Sequence, residues 1–364
     1  MSMPKLLIVI ARLNVGGTAR YVGALTKSMQ SNGYEVLVAT GFTQGAEVED
    51  QIVNSIPLIR IRSLGRAFSP SRDIRARHEL KKLIKKFSPD LIYTHTFKAG
   101  ALVRSLKLEV PVIHAFHGHL IYEPELSGIK IKIVMKIERR LAKRAKYLVT
   151  VGKRVSKELI NARVGTPRQF ISIAPGVSAL DLEDEDRARE KLGLLDEKRP
   201  IIVWFARVVE VKNPFKAVEL ARQIPQARFI LAGGGDLLEE IRSIAPSNLS
   251  VLGWQDARVI WSVADLAIST SSNEGIPIAL IEAQLAGVPV VAVDVGSIEE
   301  IVENGRTGYL HEECSKEFRN SVVKLIQDPA LLQTFGVEAR RQALKKFSIE
   351  RFTQDHLKLF SSVL

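Results

Sequence analysis

The sequence predicts an α/β fold made of two doubly wound domains, each built around a parallel sheet. Short apolar segments typical of buried strands alternate with helical segments, and this alternation favours parallel pairing with both sheet faces covered. The pattern starts afresh near residue 200. A chain of 364 residues is also longer than one hydrophobic core usually serves, which favours two domains.

Nine segments have the composition of buried strands. They lie at residues 5–11, 34–40, 90–94, 110–115, 200–205, 228–232, 249–252, 266–269 and 289–293. A helix is expected after the first strand, because Tyr21, Leu25 and Met29 recur at helical spacing before Gly33.

The predicted domains cover residues 1–175 and 176–346, and a terminal helix covers residues 347–364. Packing back onto the first domain is one arrangement open to that helix. Its candidates for burial are Phe352, Leu357, Leu359 and Phe360. The acidic stretch at 181–186, near the domain connection, is expected to be solvated and to open a helix at Arg187, rather than to bind a metal.

Composition excludes several classes of protein. With 46% hydrophobic and 25% charged residues, the chain is an ordinary globular protein, and no apolar run reaches the length of a membrane span. The N-terminus runs directly into a strand, which argues against a signal peptide. The single cysteine, Cys314, excludes an internal disulfide framework and fits a reducing cytoplasm.

The net charge of +12 is unevenly distributed along the chain. Residues 1–175 hold 30 Lys and Arg against 12 Asp and Glu, whereas the remainder holds 22 against 28. A basic surface attracts the phosphates of nucleic acids or of a membrane leaflet. Two basic runs, at 72–86 and 130–148, fit a membrane surface or a helix that buries one face. The second carries an apolar stripe of Ile133, Val134, Ile137, Leu141 and Leu148.

Two carboxylates are expected near one edge of the second sheet. The strand at 266–269 runs into a polar loop that holds Glu274, and a helix that starts beside Pro277 carries Glu282. Ligands of open α/β sheets bind at the carboxyl ends of strands, where helix amides favour an anion. The two carboxylates can only accept hydrogen bonds, which suits the hydroxyl groups of a sugar, and the helix end suits a phosphate. Together they favour a nucleotide sugar as the ligand.

Two cations, Arg207 and Lys212, follow the strand at 200–205. Cations past the end of a strand can grip a diphosphate, and they can stabilise negative charge on a departing nucleotide. The alternative at this stage is two ordinary surface side chains.

Glycines follow strands at two places. Gly16 and Gly17 precede the first helix, where a missing Cβ lets the backbone approach a phosphate. The spacing of a dinucleotide fingerprint is absent, so a plain turn is the alternative. The Gly233–Gly234–Gly235 cluster would admit a base or ribose close to the backbone, and an empty turn is equally consistent with it.

His117 and His119 follow the strand at 110–115. A histidine there can donate to a sugar hydroxyl or to a departing oxygen. A metal pair is the weaker interpretation, because no third ligand is apparent nearby. A packed, hydrogen-bonded histidine is the remaining alternative, and the neighbouring His95 and His114 complicate the choice.

Together these positions resemble the retaining GT-B glycosyltransferases of family 4. The match is strongest over residues 201–310, and its most specific part is the pair Glu274 and Glu282 with seven residues between them. Segments 94–100 and 116–119 resemble the bacterial branch that builds surface polysaccharides. Small residues depart from the family pattern at Ala206, at Ser297 and at 174–178, which bears on donor identity more than on class.

The resemblance implies two Rossmann-like domains that face a cleft, with the donor held mainly by the second. It assigns Arg207 and Lys212 to the diphosphate, Glu282 to the ribose and Glu274 to sugar hydroxyls. The other residues that it places at the donor are His117 at the sugar, Gly16 and Gly17 at the phosphates, and Gly234, Gly275 and Ile276. It also implies retained anomeric configuration and no required metal; the single Asp-x-Asp, at 184–186, lies in the domain connection.

The sequence therefore predicts a cytoplasmic hexosyltransferase, peripheral at the inner membrane face and active in surface polysaccharide synthesis. Its expected donor is a nucleotide sugar, UDP-linked at the family level, and its acceptor a membrane-associated glycan or a lipid-linked hydroxyl. No cofactor and no nucleic acid are expected, and the basic first domain is expected to meet an anionic membrane. A nucleotide-sugar epimerase, a basic nucleic-acid binder and a catalytically silent carbohydrate-binding scaffold remain as alternatives.

Overall fold

The computed structural model describes residues 3–45, 47–65, 67–118 and 128–364. The chain forms two compact units. Unit 1 comprises Met1–Gly176 together with Ile349–Leu364, and unit 2 comprises Val177–Ser348.

Unit 1 is built on a seven-stranded parallel sheet. Its strands are β1 (Lys5–Ile10), β2 (Glu35–Thr40), β3 (Leu58–Arg60), β4 (Leu91–His95), β5 (Val112–Phe116), β6 (Tyr147–Thr150) and β7 (Phe170–Ser172), in the order β3-β2-β1-β4-β5-β6-β7. Its first helices are α1 (Gly17–Ser31), α2 (Pro70–Phe87), α3 (Phe97–Ser105), α4 (Ile129–Ala142) and α5 (Lys153–Asn161).

Unit 2 is built on a six-stranded parallel sheet. Its strands are β8 (Ile201–Phe205), β9 (Arg228–Ala232), β10 (Leu249–Gly253), β11 (Leu266–Ser269), β12 (Val290–Val293) and β13 (Gly308–His311), in the order β10-β9-β8-β11-β12-β13. Its helices are α6 (Glu185–Leu192), α7 (Pro214–Gln223), α8 (Leu238–Ile244), α9 (Ala257–Ser262), α10 (Ile278–Leu285), α11 (Lys316–Gln327) and α12 (Pro329–Phe347). The predicted α/β class with two doubly wound parallel sheets is confirmed.

Burial on both faces explains why the central strands are continuous apolar runs. Leu6 to Ile10 of β1 are all 0% exposed, as expected for a parallel strand that helices cover from both sides. The apolar side of α1 is buried through Tyr21, Leu25 and Met29, as its helical spacing predicted. The acidic segment opens α6, where Asp184 accepts from the backbone N–H of Arg187, so its carboxylate serves as a helix cap.

Two expectations about the basic segment 130–148 are wrong. Leu148 does not continue a helix, because α4 ends at Ala142 and Leu148 lies in β6. Ile133 and Ile137 do not share the buried side with Val134 and Leu141. They are 53% and 40% exposed, beside the buried side of the helix.

The last helix, α13 (Ile349–Ser361), belongs to unit 1 and packs against α1. Phe352, Leu359 and Phe360 are buried, whereas Leu357 is only partly buried. A hydrogen bond between the hydroxyls of Thr353 and Ser28 (2.9 Å) joins the two helices. In the described residues no helix combines the length and the apolar composition needed to cross a membrane.

A buried ion pair fixes α3 against α4. The guanidinium of Arg104 donates to both carboxylate oxygens of Glu138 at 2.6 and 3.0 Å, and both side chains are 0% exposed. The Arg104 Nε also donates to the carbonyl of Gly100 (3.0 Å). Both charged groups are desolvated, so the loss of either partner would leave an uncompensated buried charge and would strongly destabilise the fold.

Replacing Glu138 by Gln should lower the free energy of unfolding by about 3 kcal/mol, because Arg104 would keep a buried charge with no carboxylate. Urea denaturation followed by circular dichroism measures this loss. Glu35→Gln is the matched control, since it removes the partner of Lys5 from an exposed pair. The control should change stability by less than about 0.5 kcal/mol, and equal losses in the two variants would contradict the role of the buried pair.

Candidate functional site

Each sheet has one place where the strand order reverses. In unit 1 it lies between β1 and β4, and in unit 2 between β8 and β11. Loops leave the two neighbouring strands in opposite directions there, so a crevice opens at their carboxyl ends. The loop after β8 holds Arg207 and Lys212, the loop after β11 holds Glu274, and the loop after β1 holds Gly16.

The structure brings Lys212 and Glu274 into direct contact. Lys212 Nζ lies 2.5 Å from Glu274 Oε1, and the two side chains are 16% and 8% exposed. Ser271 Oγ donates to the same oxygen at 2.8 Å. Within the described residues, Glu274 Oε2 receives no hydrogen bond, so this oxygen remains available to accept from a ligand hydroxyl.

The loops that carry this pair are tied together by Thr270. Trp204 Nε1 donates to Thr270 Oγ1 (2.9 Å), and the single proton of that hydroxyl is shared between the carbonyls of Lys212 (3.1 Å) and Asn213 (2.9 Å). Ser272 adds a backbone N–H and a hydroxyl, which both donate to the carbonyl of Val211. The backbone of Lys212 is therefore set by the end of β11.

Gly275 and Ile276 continue the loop towards α10. The carbonyl of Gly275 accepts from the backbone N–H of Ser297 (2.9 Å), and Ile276 is 8% exposed. The next loop passes very close by at Gly296, where an added Cβ would overlap the carbonyl oxygen of Glu274. A side chain at Gly296 would therefore push the Glu274 loop out of place.

Arg207 and Glu282 occupy different environments. Arg207 is exposed, and its guanidinium makes no hydrogen bond or ion pair within the part of the chain that is described. Glu282 lies in α10 and is 3% exposed. Its helix begins at Ile278, with Pro277 as the N-cap in extended conformation.

The glycines after β9 lie against the loop after β8. The backbone N–H of Val208 donates to the carbonyl of Gly234 (2.9 Å), and a Cβ on Gly233 or Gly235 would overlap backbone atoms of Ala206 or Val208. The indole of Trp254, 47% exposed, packs directly against Gly234. A half-exposed aromatic ring on a glycine platform offers a surface for a flat base.

In unit 1, Gly16 is the N-cap of α1 and Gly17 is its first residue. Gly16 has φ 152°, which favours glycine, and an added Cβ would meet no atom within 4 Å. Thr96, at the end of β4, has φ 67°, an uncommon conformation for a β-branched residue. Such strain concentrates at functional sites, and here it falls at the point where the strand order reverses.

His117 follows β5 and is half-buried. Its Nε2 lies 2.9 Å from His95 Nδ1, and its ring stacks edge-on against Tyr21 at 5.0 Å between centroids. Burial lowers the pKa of His117 to about 4, so the ring is neutral at pH 7. His119, the second residue of the weaker metal-pair interpretation, lies outside the described residues.

Local sequence patterns did not reveal several of these contacts. His95 and Thr270 contact the expected residues from the ends of other strands, Ser271 contacts Glu274 from within the same loop, and Trp254 contacts Gly234 from the loop after β10. A polar residue at the carboxyl end of a strand was the signal available for the first three.

Among the described residues, no group of three or more His, Cys, Asp or Glu side chains is arranged to hold a metal ion.

Two protein-family descriptions match this chain, one for each half. Residues 15–179 match "Glycosyltransferase Family 4", and residues 184–342 match "Glycosyl transferases group 1". The chain is 25% identical to an Escherichia coli UDP-Gal:alpha-D-GlcNAc-diphosphoundecaprenol alpha-1,3-galactosyltransferase over 84% of each chain. It is 26% identical to the putative glycosyltransferase EpsD of Bacillus subtilis, over 93% of this chain and 92% of EpsD.

A solved structure has the same fold. Anabaena HepE in complex with UDP superimposes with a TM-score of 0.81 at 21% identity, over 98% of this chain and 100% of HepE. The chain is a glycosyltransferase with the GT-B fold. Since the two family descriptions together cover most of its length, it belongs to the group 1/family 4 type.

Replacing Gly296 by Ala should destabilise unit 2 and displace the Glu274 loop, because the new Cβ overlaps a backbone oxygen. Gly193→Ala is the matched control: its φ of 67° resembles the 58° of Gly296, but no atom lies within 4 Å of an added Cβ. The backbone strain, about 1–2 kcal/mol, is common to both variants. Thermal denaturation should show the larger loss for Gly296→Ala, and equal losses would contradict the close contact.

Proposed function

We propose that this glycosyltransferase moves a sugar from a UDP-linked donor to a hydroxyl of a membrane-associated glycan or lipid-linked acceptor. We further propose that the anomeric configuration is retained and that the product is a precursor of a cell-surface polysaccharide. The observation that carries the proposal is the Lys212–Glu274 pair with its open carboxylate oxygen. The relatives support the substrate class, since the E. coli enzyme is named for UDP-Gal and a diphosphoundecaprenol acceptor and HepE was solved with UDP.

The proposed mechanism is stabilisation of the departing diphosphate. Transfer breaks the bond between the sugar and the diphosphate and forms one between the sugar and the acceptor oxygen, whose proton is taken up by the departing diphosphate. Negative charge therefore grows on the nucleotide as its bond to the sugar breaks. Arg207 and Lys212 are assigned to that charge, the first as a planar fork with free donors and the second as a point charge. With two cations in this role, the proposal assigns no metal.

The carboxylates are assigned to hydroxyl groups of the donor. Glu274 would accept from the transferred sugar through Oε2, while Lys212 and Ser271 hold Oε1. Glu282 is assigned to the ribose, and Gly275 and Ile276 to the donor along the same loop. Carboxylates can only accept hydrogen bonds and therefore suit hydroxyl donors. Burial strengthens each such hydrogen bond, because the local dielectric constant is lower than in water.

The remaining roles follow the surroundings of each residue. Gly234 and the ring of Trp254 are assigned to the base, because together they form a flat and partly exposed surface. From unit 1, Gly16 and Gly17 are assigned to the phosphates and His117 to the transferred sugar. A neutral His117 can donate or accept one hydrogen bond without adding charge.

Helix α4 supports peripheral attachment to an anionic membrane. Ile129, Ile133 and Ile137 are 75%, 53% and 40% exposed at i, i+4 and i+8, so they form one stripe. Exposed cations occupy the rest of this side: Lys130, Lys132, Lys136, Arg140 and Lys143. An apolar stripe among cations fits the boundary between anionic headgroups and acyl chains.

A thermal-stability screen tests the donor class. Of UDP, UDP-galactose, UDP-glucose and GDP-mannose, the UDP compounds should raise the melting temperature most; a ligand at 100 times its Kd adds about 2.7 kcal/mol of stability. Turnover should require an undecaprenyl-diphosphate-linked sugar. Conversion of a UDP-sugar to its epimer without that acceptor would support the epimerase instead, and no stabilisation by any nucleotide would contradict the proposal.

Lys212→Ala should lower kcat by about a hundredfold or more, because it removes a cation from the departing diphosphate, while donor binding survives in part. Initial rates across donor concentrations separate kcat from KM. Lys216→Ala is the matched control, since Lys216 also pairs with a glutamate, Glu219, but on an exposed helix face. Wild-type turnover in Lys212→Ala would refute the assigned role.

Changing the three exposed isoleucines of α4 to Ser should weaken binding to anionic vesicles at least about tenfold, since the stripe supplies the apolar part of the contact. Flotation with phosphatidylglycerol-containing vesicles measures this, and phosphatidylcholine vesicles test the charge requirement. Val337→Ser removes a side chain 66% exposed on α12 and is the control. Unchanged binding of the triple variant would exclude α4 as the membrane surface.

A further inference from the structure

His95 and His117 form a direct hydrogen bond in unit 1. His95 is the last residue of β4 and is 0% exposed, whereas His117 follows β5 and is half-buried. The bond joins His95 Nδ1 to His117 Nε2 at 2.9 Å. His117 makes no other hydrogen bond within the described residues, so its Nδ1 is the ring nitrogen left for a ligand.

Neighbouring rings fix the orientation of His95. The ring of Tyr93 lies 4.5 Å from that of His95 between centroids, and the ring of Tyr21 lies 5.7 Å away. The hydroxyl of Tyr21 is engaged elsewhere. His356 Nδ1 donates to the carbonyl of Phe352 (2.9 Å), so its Nε2 accepts from Tyr21 (3.1 Å).

Both rings of the pair are neutral at pH 7. Burial lowers the pKa of His95 well below its ordinary value and that of His117 to about 4. A neutral imidazole carries one N–H, and therefore one ring donates and the other accepts. The direction of the bond decides which nitrogen of His117 carries its proton.

The surroundings of His95 favour one direction. Its Nε2 is buried and has no hydrogen-bond partner in the described part of the chain. If His95 accepted at Nδ1, its proton would lie on Nε2 as a buried donor without an acceptor, an arrangement that folded proteins avoid more strictly than an unpaired acceptor. Donation from His95 Nδ1 removes this conflict.

We propose that His95 is a positioning residue that donates to His117 Nε2 and so holds His117 in the tautomer with the proton on Nδ1. His117 then presents a fixed N–H donor, rather than an acceptor, to an oxygen of the transferred sugar. This inference rests on the proposed contact between His117 and the donor. The direction of the hydrogen bond, however, can be measured without any substrate.

The tautomer is measured by NMR of the wild-type protein with 15N-labelled histidine at neutral pH. The ring signals of His117 are assigned by their loss in His117→Asn. Coupling of a proton to Nδ1 and none to Nε2 is the expected result. A proton on Nε2 overturns the inference, whether or not the protein turns over a nucleotide sugar. Failure of the proposed function would instead appear as absent turnover with the expected tautomer present.

Two near-isosteric variants separate positioning from packing. His95→Asn keeps an N–H near the place of Nδ1 and should retain kcat within a few-fold. The ionised carboxylate of His95→Asp can only accept, so at a pH where this carboxyl is ionised the variant should lower kcat about tenfold or more, which corresponds to about 1.4 kcal/mol, with a smaller change in KM. Activity of His95→Asp equal to or above that of His95→Asn would overturn the inference.

His114→Asn is the control for general damage to this core. His114 is also a buried histidine whose Nε2 lacks a partner, but its Nδ1 contacts Thr94 and not His117. The control should leave kcat and the nitrogen signals of His117 unchanged, even where the melting temperature falls. A loss of kcat equal to that of His95→Asp would show that the cluster acts only through packing and would overturn the inference.

Discussion

The hydrogen bonds of the Thr270 hydroxyl are the constraint on which the placement of the Lys212–Glu274 pair depends. A single side chain receives the indole N–H of Trp204 and donates to the carbonyls of Lys212 and Asn213. It thereby fixes the position of a lysine that belongs to another loop. The two hydrogen bonds from Ser272 to the carbonyl of Val211 support the same arrangement of the two loops.

The strand-reversal points explain why the chemistry gathers where it does. Parallel strands expose their carboxyl ends at one edge, and only at the reversal do neighbouring loops part. In unit 2 the resulting space holds Lys212 and Glu274. In unit 1 it holds Thr96 in its strained conformation, with Gly16 in the adjacent loop. The same arrangement of a sheet thus places an ion pair at the reversal point of unit 2 and a threonine with positive φ beside a glycine loop at that of unit 1.

The fold was predictable from the sequence where an element carries its own signal. Buried strands such as β1 and β8 are continuous apolar runs, and parallel pairing follows from their alternation with helices. The short strands β3, β6, β7 and β13 were missed, because three or four partly polar residues form strands only through their neighbours. The site was predictable only in part. Lys212 and Glu274 are charged residues in the loops that follow two neighbouring strands, which marks them as ligand contacts. The contacts of His95 with His117 and of Trp254 with Gly234 depend on how strands and loops pack against each other, which local sequence does not show.

The division of the chain into units has a consequence for any attempt to separate them. The backbone leaves unit 1 after Gly176 and returns to it at Ile349, so unit 2 is an insertion within unit 1. The two crossing points are secured separately: Val177 N–H donates to Phe347 carbonyl in unit 2, and Arg351 donates to the carbonyls of Ala174 and Pro175 in unit 1. A gene fragment that stops before α13 would encode a unit 1 whose hydrophobic core is incomplete, because α1 would lack the helix that packs against it. Unit 2, by contrast, is one uninterrupted stretch that can be excised with a single pair of cuts.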